Sequence, residues 1–371
     1  SILNLLRILK GAAFTGVTAI ERVTGHDVPQ NRLHEIENFL VLQHASALGT
    51  AIHTTPLFAA LKQAVPSAHI AVVASGFSYD VLRHNPNIDT LIVTPSPLKD
   101  VKASIQPLRR QFPFRGSTPF ATLTPLGNER TMAVLQMLLG GASTRVGFTV
   151  LPELYRVPLR FDPAKSQIAN NLRIVEALGH SVSHSEPRIF FSEQDEAFAR
   201  DLLRAAGVEE GQPVAAFVTQ TSVTQRKSWR PERFREVANF LRERYGAHIL
   251  FVGTAAESPA IDELRSGLPF TTTNAAGKTN LPQLTALMSL CAIGLTLDTG
   301  PLHVGRAAGL PMVIIAPAWS PPIEWLPVDN DRFRILKNAD MPAATPDYII
   351  DEVSVDEVKS ALTDLLSRHT R

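Results

Sequence analysis

The feature that most constrains this chain is an alternation that runs along it twice. Short apolar runs recur, and stretches with helical spacing lie between them. Strands that alternate with helices are read as parallel strands joined by crossovers. The first series opens with the strand "NFLVLQH" and the turn "ASALGT". The helix "AIHTTPLFAALKQAV" follows, with Ile52, Leu57, Ala60, Leu61 and Ala64 at helical spacing. Strands "AHIAVVAS", "IDTLIVTP", "FATLTPL" and "TRVGF" come next, with helices "SYDVLRHN" and "ERTMAVLQMLLGG" among them. A proline-bearing connection and the helix "AKSQIANNLRIVEALG" lead to a restart. There Ser192 and an acidic first turn open "SEQDEAFARDLLRAAG" as an N-capped helix. Strands "PVAAFVTQ", "AHILFVGT", "AIGLTLD" and "PMVIIAP" follow, the last being the final clear strand. The helix "SVDEVKSALTDLLSRHT" closes the chain.

A chain of 371 residues is too long for one ordinary core. The expected class is α/β, two doubly wound Rossmann-like domains facing a central cleft, with ligands at the strand C-terminal ends. The expected segments are a helical extension over 1–36, a first domain over 37–185 and a second over 186–371. The closing helix is free to pack back on the first domain.

A net charge of +1 argues against a dedicated nucleic-acid binder. One cysteine, Cys291, excludes an internal disulfide framework and fits a reducing compartment, the cytoplasm. Its apolar surroundings suggest a small buried packing residue. No apolar run reaches the ~18 residues of a spanning helix. The N-terminus "SILNLLRILKGAAFTGVTAIERV" carries Leu5, Leu6, Leu9, Ala13, Val17 and Ile20 near helical spacing. It lacks the compact apolar core and cleavage site of a signal peptide. Two readings stand: a helix packed on the protein's own body, or one lying in a membrane interface.

Three strand-end turns in the second half fit a nucleotide diphosphate. In "LTLDTGPLHVGRAAG", Asp298 and Thr299 sit at a strand tip and Gly300 lets the backbone come close to a ligand. Pro301 suits a first helical position, and His303 falls within the first turn. Free N–H groups at such a helix start point at anions. The competing reading makes Asp298 or Thr299 a cap and His303 a surface residue. In "TQTSVTQRKSWRPERF", the hydroxyls of Thr219 and Thr221 and the Lys227 ammonium precede another helix, a plausible diphosphate cradle or else a solvated loop. "FVGTAAES" offers Gly253 and Thr254. No G-x-x-x-x-G-K-[ST] or G-x-G-x-x-G occurs, which weakens ATPase and ordinary dinucleotide readings. No His/Cys cluster has zinc spacing and no G-x-S-x-G is present, so neither a metal nor a cofactor is expected. In the first half, "QHASALGTAIHTTP" places His44, Thr50 and His53 around a strand-end turn.

Taken in order, "LVLQHASALGTAIHTTPLFAALKQAVPSAHIAVV", "TRVGF", "KSWRPERFREVANFL", "ILFVGTAAE", "AGKTNLPQLTALMSLC" and "LDTGPLHVGRAAGLPMVIIAPAWSP" resemble glycosyltransferase family 9, the lipopolysaccharide heptosyltransferases. The resemblance runs from about residue 38 to about residue 325. It implies a GT-B fold with the donor held by the second half and the acceptor by the first. It also implies transfer of a sugar, heptose from ADP-heptose, to a phosphorylated glycolipid or glycan, with inversion and without a metal. Carried over, Lys227 grips the diphosphate, and Asp298, Thr299 and Gly300, with His303 beside them, meet the nucleotide or sugar. The setting implied is cytoplasmic, with peripheral contact at the inner membrane. The basic stretch with Arg83, Lys99, Lys102, Arg109, Arg110 and Arg115 either meets an acidic acceptor or membrane face, or is a solvated loop.

One position departs from the family. Its turn reads "LGD", with the acid as the presumed base, whereas this chain has "SALGTAIHTTP" with Thr50 there. Threonine cannot act as a base near neutral pH, and losing a general base lowers rates by ~10²–10⁴-fold. His53 or His44 substitutes, Thr50 replaces a natural acid, or the protein binds sugar nucleotides without efficient transfer. A transferase using another donor also fits.

Overall fold

The computed structural model describes residues 2–23, 27–114, 118–221, 228–317, 322–337 and 349–369. The chain divides into two compact units, Ser1–Pro187 and Arg188–Arg371.

The first unit begins with helix α1 (Ile2–Val23). It continues β1 (Asn38–Gln43), α2 (Leu48–Ala64), β2 (His69–Ala74), α3 (Ser78–Leu82), β3 (Thr90–Val93) and α4 (Val101–Gln111). Then come β4 (Ala121–Thr124), α5 (Thr131–Gly140), β5 (Arg145–Phe148), β6 (Val157–Leu159) and α6 (Gln167–Ala177). Its six strands are parallel in the order β3-β2-β1-β4-β5-β6. Strands β1 and β2 are buried almost throughout, because helices cover parallel sheets on both faces. Leu40, Leu42, Val73, Ile92, Leu108 and Met137 join one core cluster.

The second unit runs α7 (Glu193–Ala205), β7 (Val214–Val218), α8 (Pro231–Tyr245), β8 (His248–Phe251), α9 (Ser258–Ser266) and β9 (Thr273–Asn274). It continues α10 (Leu281–Ser289), β10 (Ile293–Leu297), α11 (Gly300–Ala307), β11 (Met312–Ile315), α12 (Pro322–Trp325), β12 (Phe333–Leu336) and α13 (Val355–His369). The sheet repeats the first, β12-β11-β10-β7-β8-β9, all parallel. Ser192 caps α7 in a reciprocal box with Asp195. Helix α13 packs on α8 and on β10, β11 and β12, so the closing helix lies on the second sheet. Leu362 and Leu365 are fully buried there beside Val313 and Ile315. Cys291 is buried, and burial pushes its thiol up to about 12, in keeping with a packing role.

The sequence reading did not find strands β6 and β12 or helices α4 and α12. Strands β6 and β12 are short sheet edges, and Pro158 sits in β6, where an edge strand tolerates a missing donor. The basic stretch is not a loop: it folds as α4, capped by Asp100 Oδ1 accepting from Ala103 N at 3.0 Å. Lys99, Lys102, Arg109 and Arg110 are exposed. Arg115 lies outside the described residues.

Candidate active site

Each sheet has its first strand beside its fourth, so the crossovers leave that point in opposite directions. That point, at the strand C-terminal ends, is the usual ligand position in doubly wound sheets. In the first unit it lies between the loops after β1 and β4. The Asn128 side chain accepts from the His44 backbone N–H and ties the two loops together. Thr50, in the first turn of α2, faces the β4 loop at Gly127. A Cβ on Gly127 would stand 2.5 Å from Thr50 Cγ2, and Gly127 has φ +88°. Ala47 occupies the N-cap of α2 without a side-chain cap, so the helix start keeps N–H groups that no intrahelical carbonyl takes.

The histidines differ from Thr50 in their surroundings. His44 is buried, with Nδ1 2.9 Å from Ser75 Oγ and Nε2 2.7 Å from Gln136 Oε1. Gln136 donates through Nε2 to Thr94 Oγ1 at 3.0 Å, so its Oε1 accepts from His44, which then carries its proton on Nε2. Burial pushes the His44 pKa down to about 4, against a smaller upward pull from Gln136. His44 is a neutral structural histidine holding the ends of β1, β2 and β3 to α5. It is not presented as a base. His53, one turn beyond Thr50, is 1% exposed, and its carbonyl accepts from Asn171 Nδ2 at 3.2 Å. Asn171 Oδ1 in turn accepts from Leu126 N at 2.9 Å, which fastens the β4 loop to α2 through α6.

In the second unit Thr296 lies opposite Val218, so the loops after β7 and β10 emerge side by side. Thr219 is buried and accepts from Gln220 Nε2 at 3.3 Å, and Thr221 is half-buried. Residues 222–227, Lys227 among them, lie outside the described residues. Trp229 just after is core: its indole N–H donates to Val353 O at 2.9 Å and its ring meets Phe234 edge-on. Asp298, Thr299 and Gly300 are half-buried between β10 and α11. Thr299 stands at the N-cap of α11, yet its side chain makes no cap hydrogen bond. His303 is not a surface residue. It is buried, with its ring centroid 6.0 Å from that of Trp325. Burial first, and the Arg306 charge second, push its pKa down to about 4, so it is neutral at pH 7.

Gly253 has a packing reason of its own. A Cβ there would stand 2.5 Å from Glu257 Oε2, which accepts from Thr254 N at 2.8 Å in a capping box. Sequence reasoning missed Glu257, although "GTAAE" displayed it. It follows the second strand of its sheet, where an acid commonly meets ribose hydroxyls in Rossmann-like units. It also missed Arg306, a buried guanidinium one turn beyond His303.

The family model for glycosyltransferase family 9 (heptosyltransferase) matches residues 153–342, more than half of the chain. The chain belongs to this family. Lipopolysaccharide heptosyltransferase 3 of Escherichia coli K12 is 24% identical over 287 residues, 71% of this chain and 78% of that protein. The lipopolysaccharide core heptosyltransferase OpsX of Haemophilus influenzae is 33% identical over 115 residues, 30% of this chain and only 33% of that relative. Among solved structures, a family 9 glycosyltransferase from Veillonella parvula DSM 2008 superposes with TM-score 0.78 at 22% identity, covering 90% of this chain and 98% of that one. The E. coli ADP-heptose lipopolysaccharide heptosyltransferase II superposes with TM-score 0.71 at 18% identity, covering 90% and 99%. This family 9 chain thus shares the GT-B class of fold with them.

Proposed function

We propose that this family 9 chain transfers heptose from ADP-heptose to a phosphorylated glycolipid or glycan acceptor of the lipopolysaccharide-core type, at the cytoplasmic face of the inner membrane. The observation that carries the reading lies in the second unit: the Thr219–Thr221 and Asp298–Gly300 loops emerge side by side from β7 and β10, inside the family match. The solved heptosyltransferase named for ADP-heptose supports the choice of donor.

In this reading the second unit binds the donor. The start of α11 and Lys227 hold the diphosphate, Thr299 donates to it, and Glu257 accepts from ribose hydroxyls. The neutral His303 packs behind this loop. The acceptor hydroxyl oxygen attacks the anomeric carbon from the face opposite the diphosphate. The carbon–oxygen bond to the diphosphate breaks, the centre inverts, and the leaving charge rests on Lys227 and the helix start, with no metal required. The acceptor proton needs a base in the first unit. Thr50 cannot take it and both His44 nitrogens are engaged. His53 is the remaining titratable group of the three, reached through local opening of α2 or a water.

The test is calorimetric titration with ADP, GDP and UDP, then ADP-heptose, followed by acceptor-dependent release of ADP. Selective ADP binding with acceptor-dependent release supports the reading. Selectivity for UDP or GDP would change the donor. A second reading, a sugar-nucleotide-binding protein with weak transfer, is favoured by Thr50 and by the engaged ring of His44. Donor binding without acceptor-dependent release would establish it. Lys227→Ala should weaken donor binding ~10–100-fold, the loss expected for one charged hydrogen-bonding group. Unchanged binding would remove Lys227 from the site.

A further inference from the structure

Helix α1 sits with its polar side toward the protein. At 3.6 residues per turn, Ile8, Leu9, Val17, Ile20 and Val23 share one broad face, and Arg7, Phe14, Thr18, Glu21 and Arg22 fall on the other. The second face is the one that packs. Thr18 is buried, with its hydroxyl donating to Thr15 O at 3.0 Å. Phe14 packs on the first unit's core. Glu21 accepts from Nη1 and Nη2 of the buried Arg145 at 3.1 and 2.6 Å. Beyond the helix, Asp27 accepts from Arg156 Nη2 at 2.7 Å, and Val28 N donates to Thr144 Oγ1 at 2.8 Å. The apolar face is left outside: Ile8 is 66% exposed, Leu9 57%, Ile20 66% and Val23 89%.

Charge narrows what covers this face. The exposed charges of α1 are Arg7, Lys10 and Arg22, all cationic, while its one carboxylate, Glu21, is held by Arg145. Lys10 Nζ lies 5.6 Å from the Phe14 ring centroid, at the margin between the two faces. Carboxylates also stand near the packing side, Glu153 against Gly11 and Asp27 paired with Arg22 at 3.4 Å, but the exposed charges of the helix itself are cationic, and an apolar face on such a helix suits the boundary between anionic headgroups and acyl chains. A second copy suits it less, because face-to-face α1 helices bring these cations together. Among the described residues no helix is long and apolar enough to cross a membrane.

We propose that α1 is an interfacial helix that lays its Ile8–Val23 face on an anionic phospholipid bilayer. The inference rests on the seating of α1 and holds whatever the donor or acceptor. The experiment is flotation of the full chain with unilamellar vesicles, either of phosphatidylcholine alone or containing phosphatidylglycerol. The chain should float with the anionic vesicles and less so in high salt. Ile8→Gln with Leu9→Gln should lower the partition at least ~10-fold, with circular dichroism unchanged because both sites are exposed. Lys10→Ala should lower it roughly five-fold. No flotation of the unsubstituted chain would overturn the proposal, and so would partition that the double substitution leaves unchanged. A dimer by light scattering that the double substitution dissociates, without vesicle binding, would overturn it in favour of a second copy.

Discussion

The methyl of Thr50 occupies the space that Gly127 leaves by having no side chain: a Cβ on Gly127 would lie 2.5 Å from Thr50 Cγ2. The pair joins the start of α2 to the loop after β4, across the point where the first sheet reverses its order. Aspartate at position 50 would put a carboxylate in the same space, at a helix start that favours an anion.

Thr50→Asp should therefore be accommodated and should raise acceptor-dependent turnover by ~10²–10⁴-fold if the missing base is the only defect. Nucleotide release under matched donor saturation measures it. No gain, combined with loss of activity in His53→Ala, would make His53 the working base.

Gly127→Ala should destabilise the first unit by more than about 1 kcal/mol, because φ +88° suits glycine and the added methyl meets Thr50. Urea unfolding of the variant measures this. Pairing it with Thr50→Ser, which removes Cγ2 from that space, should recover part of the loss. Absence of any recovery would mean that backbone strain alone accounts for it.

Acid should weaken the fold through His44 and His303. Each is held neutral with a pKa near 4 against an ordinary 6.5. The unfolded chain binds more protons between those values, so stability is complete above pH 6.5 and falls as pH drops toward 4. The loss is of order 3 kcal/mol per histidine at most, on ~1.4 kcal/mol per pH unit. Urea midpoints across this window should fall less steeply in His303→Gln, by up to the equivalent of one proton. An identical slope would mean that His303 does not take part.

Glu21→Ala should leave the buried Arg145 guanidinium without its carboxylate, at a cost of roughly 3 kcal/mol. It should also loosen α1, so trypsin should cut faster after Arg7, Lys10 and Arg22. Equal cleavage rates in variant and parent would show that α1 is held by other contacts.

Thr299→Val tests whether that hydroxyl serves the donor or the helix. Its side chain makes no cap hydrogen bond, so thermal stability should stay unchanged while donor affinity falls several-fold, the worth of one hydrogen bond. A lowered melting temperature with unchanged affinity would make Thr299 a structural residue.

By itself the sequence determined the class of fold and the places where ligand chemistry could gather. Central parallel strands such as β1, β2, β7 and β10 are covered on both faces, so each reads as an apolar run whatever its neighbours are. Their C-terminal ends are marked by local residues, Thr219 after β7 and Asp298-Thr299-Gly300 after β10. Edge strands β6 and β12 stayed hidden, because short edges with polar positions or a proline carry little periodic signal. Helix α4 stayed hidden because Pro107 and its cations mask a face that buries only Ser104 and Leu108.

What only the tertiary structure decided depends on partners far apart in the chain. His44 looked like a site histidine, but Ser75 and Gln136 make it structural. His303 looked exposed or ligand-facing, but α12 covers it with Trp325. The pattern of α1 specified an amphipathic helix and could not say which face turns inward. That was decided by Arg145, 124 residues from Glu21, because hydrophobic periodicity is local whereas an ion pair between distant segments exists only once the chain has folded.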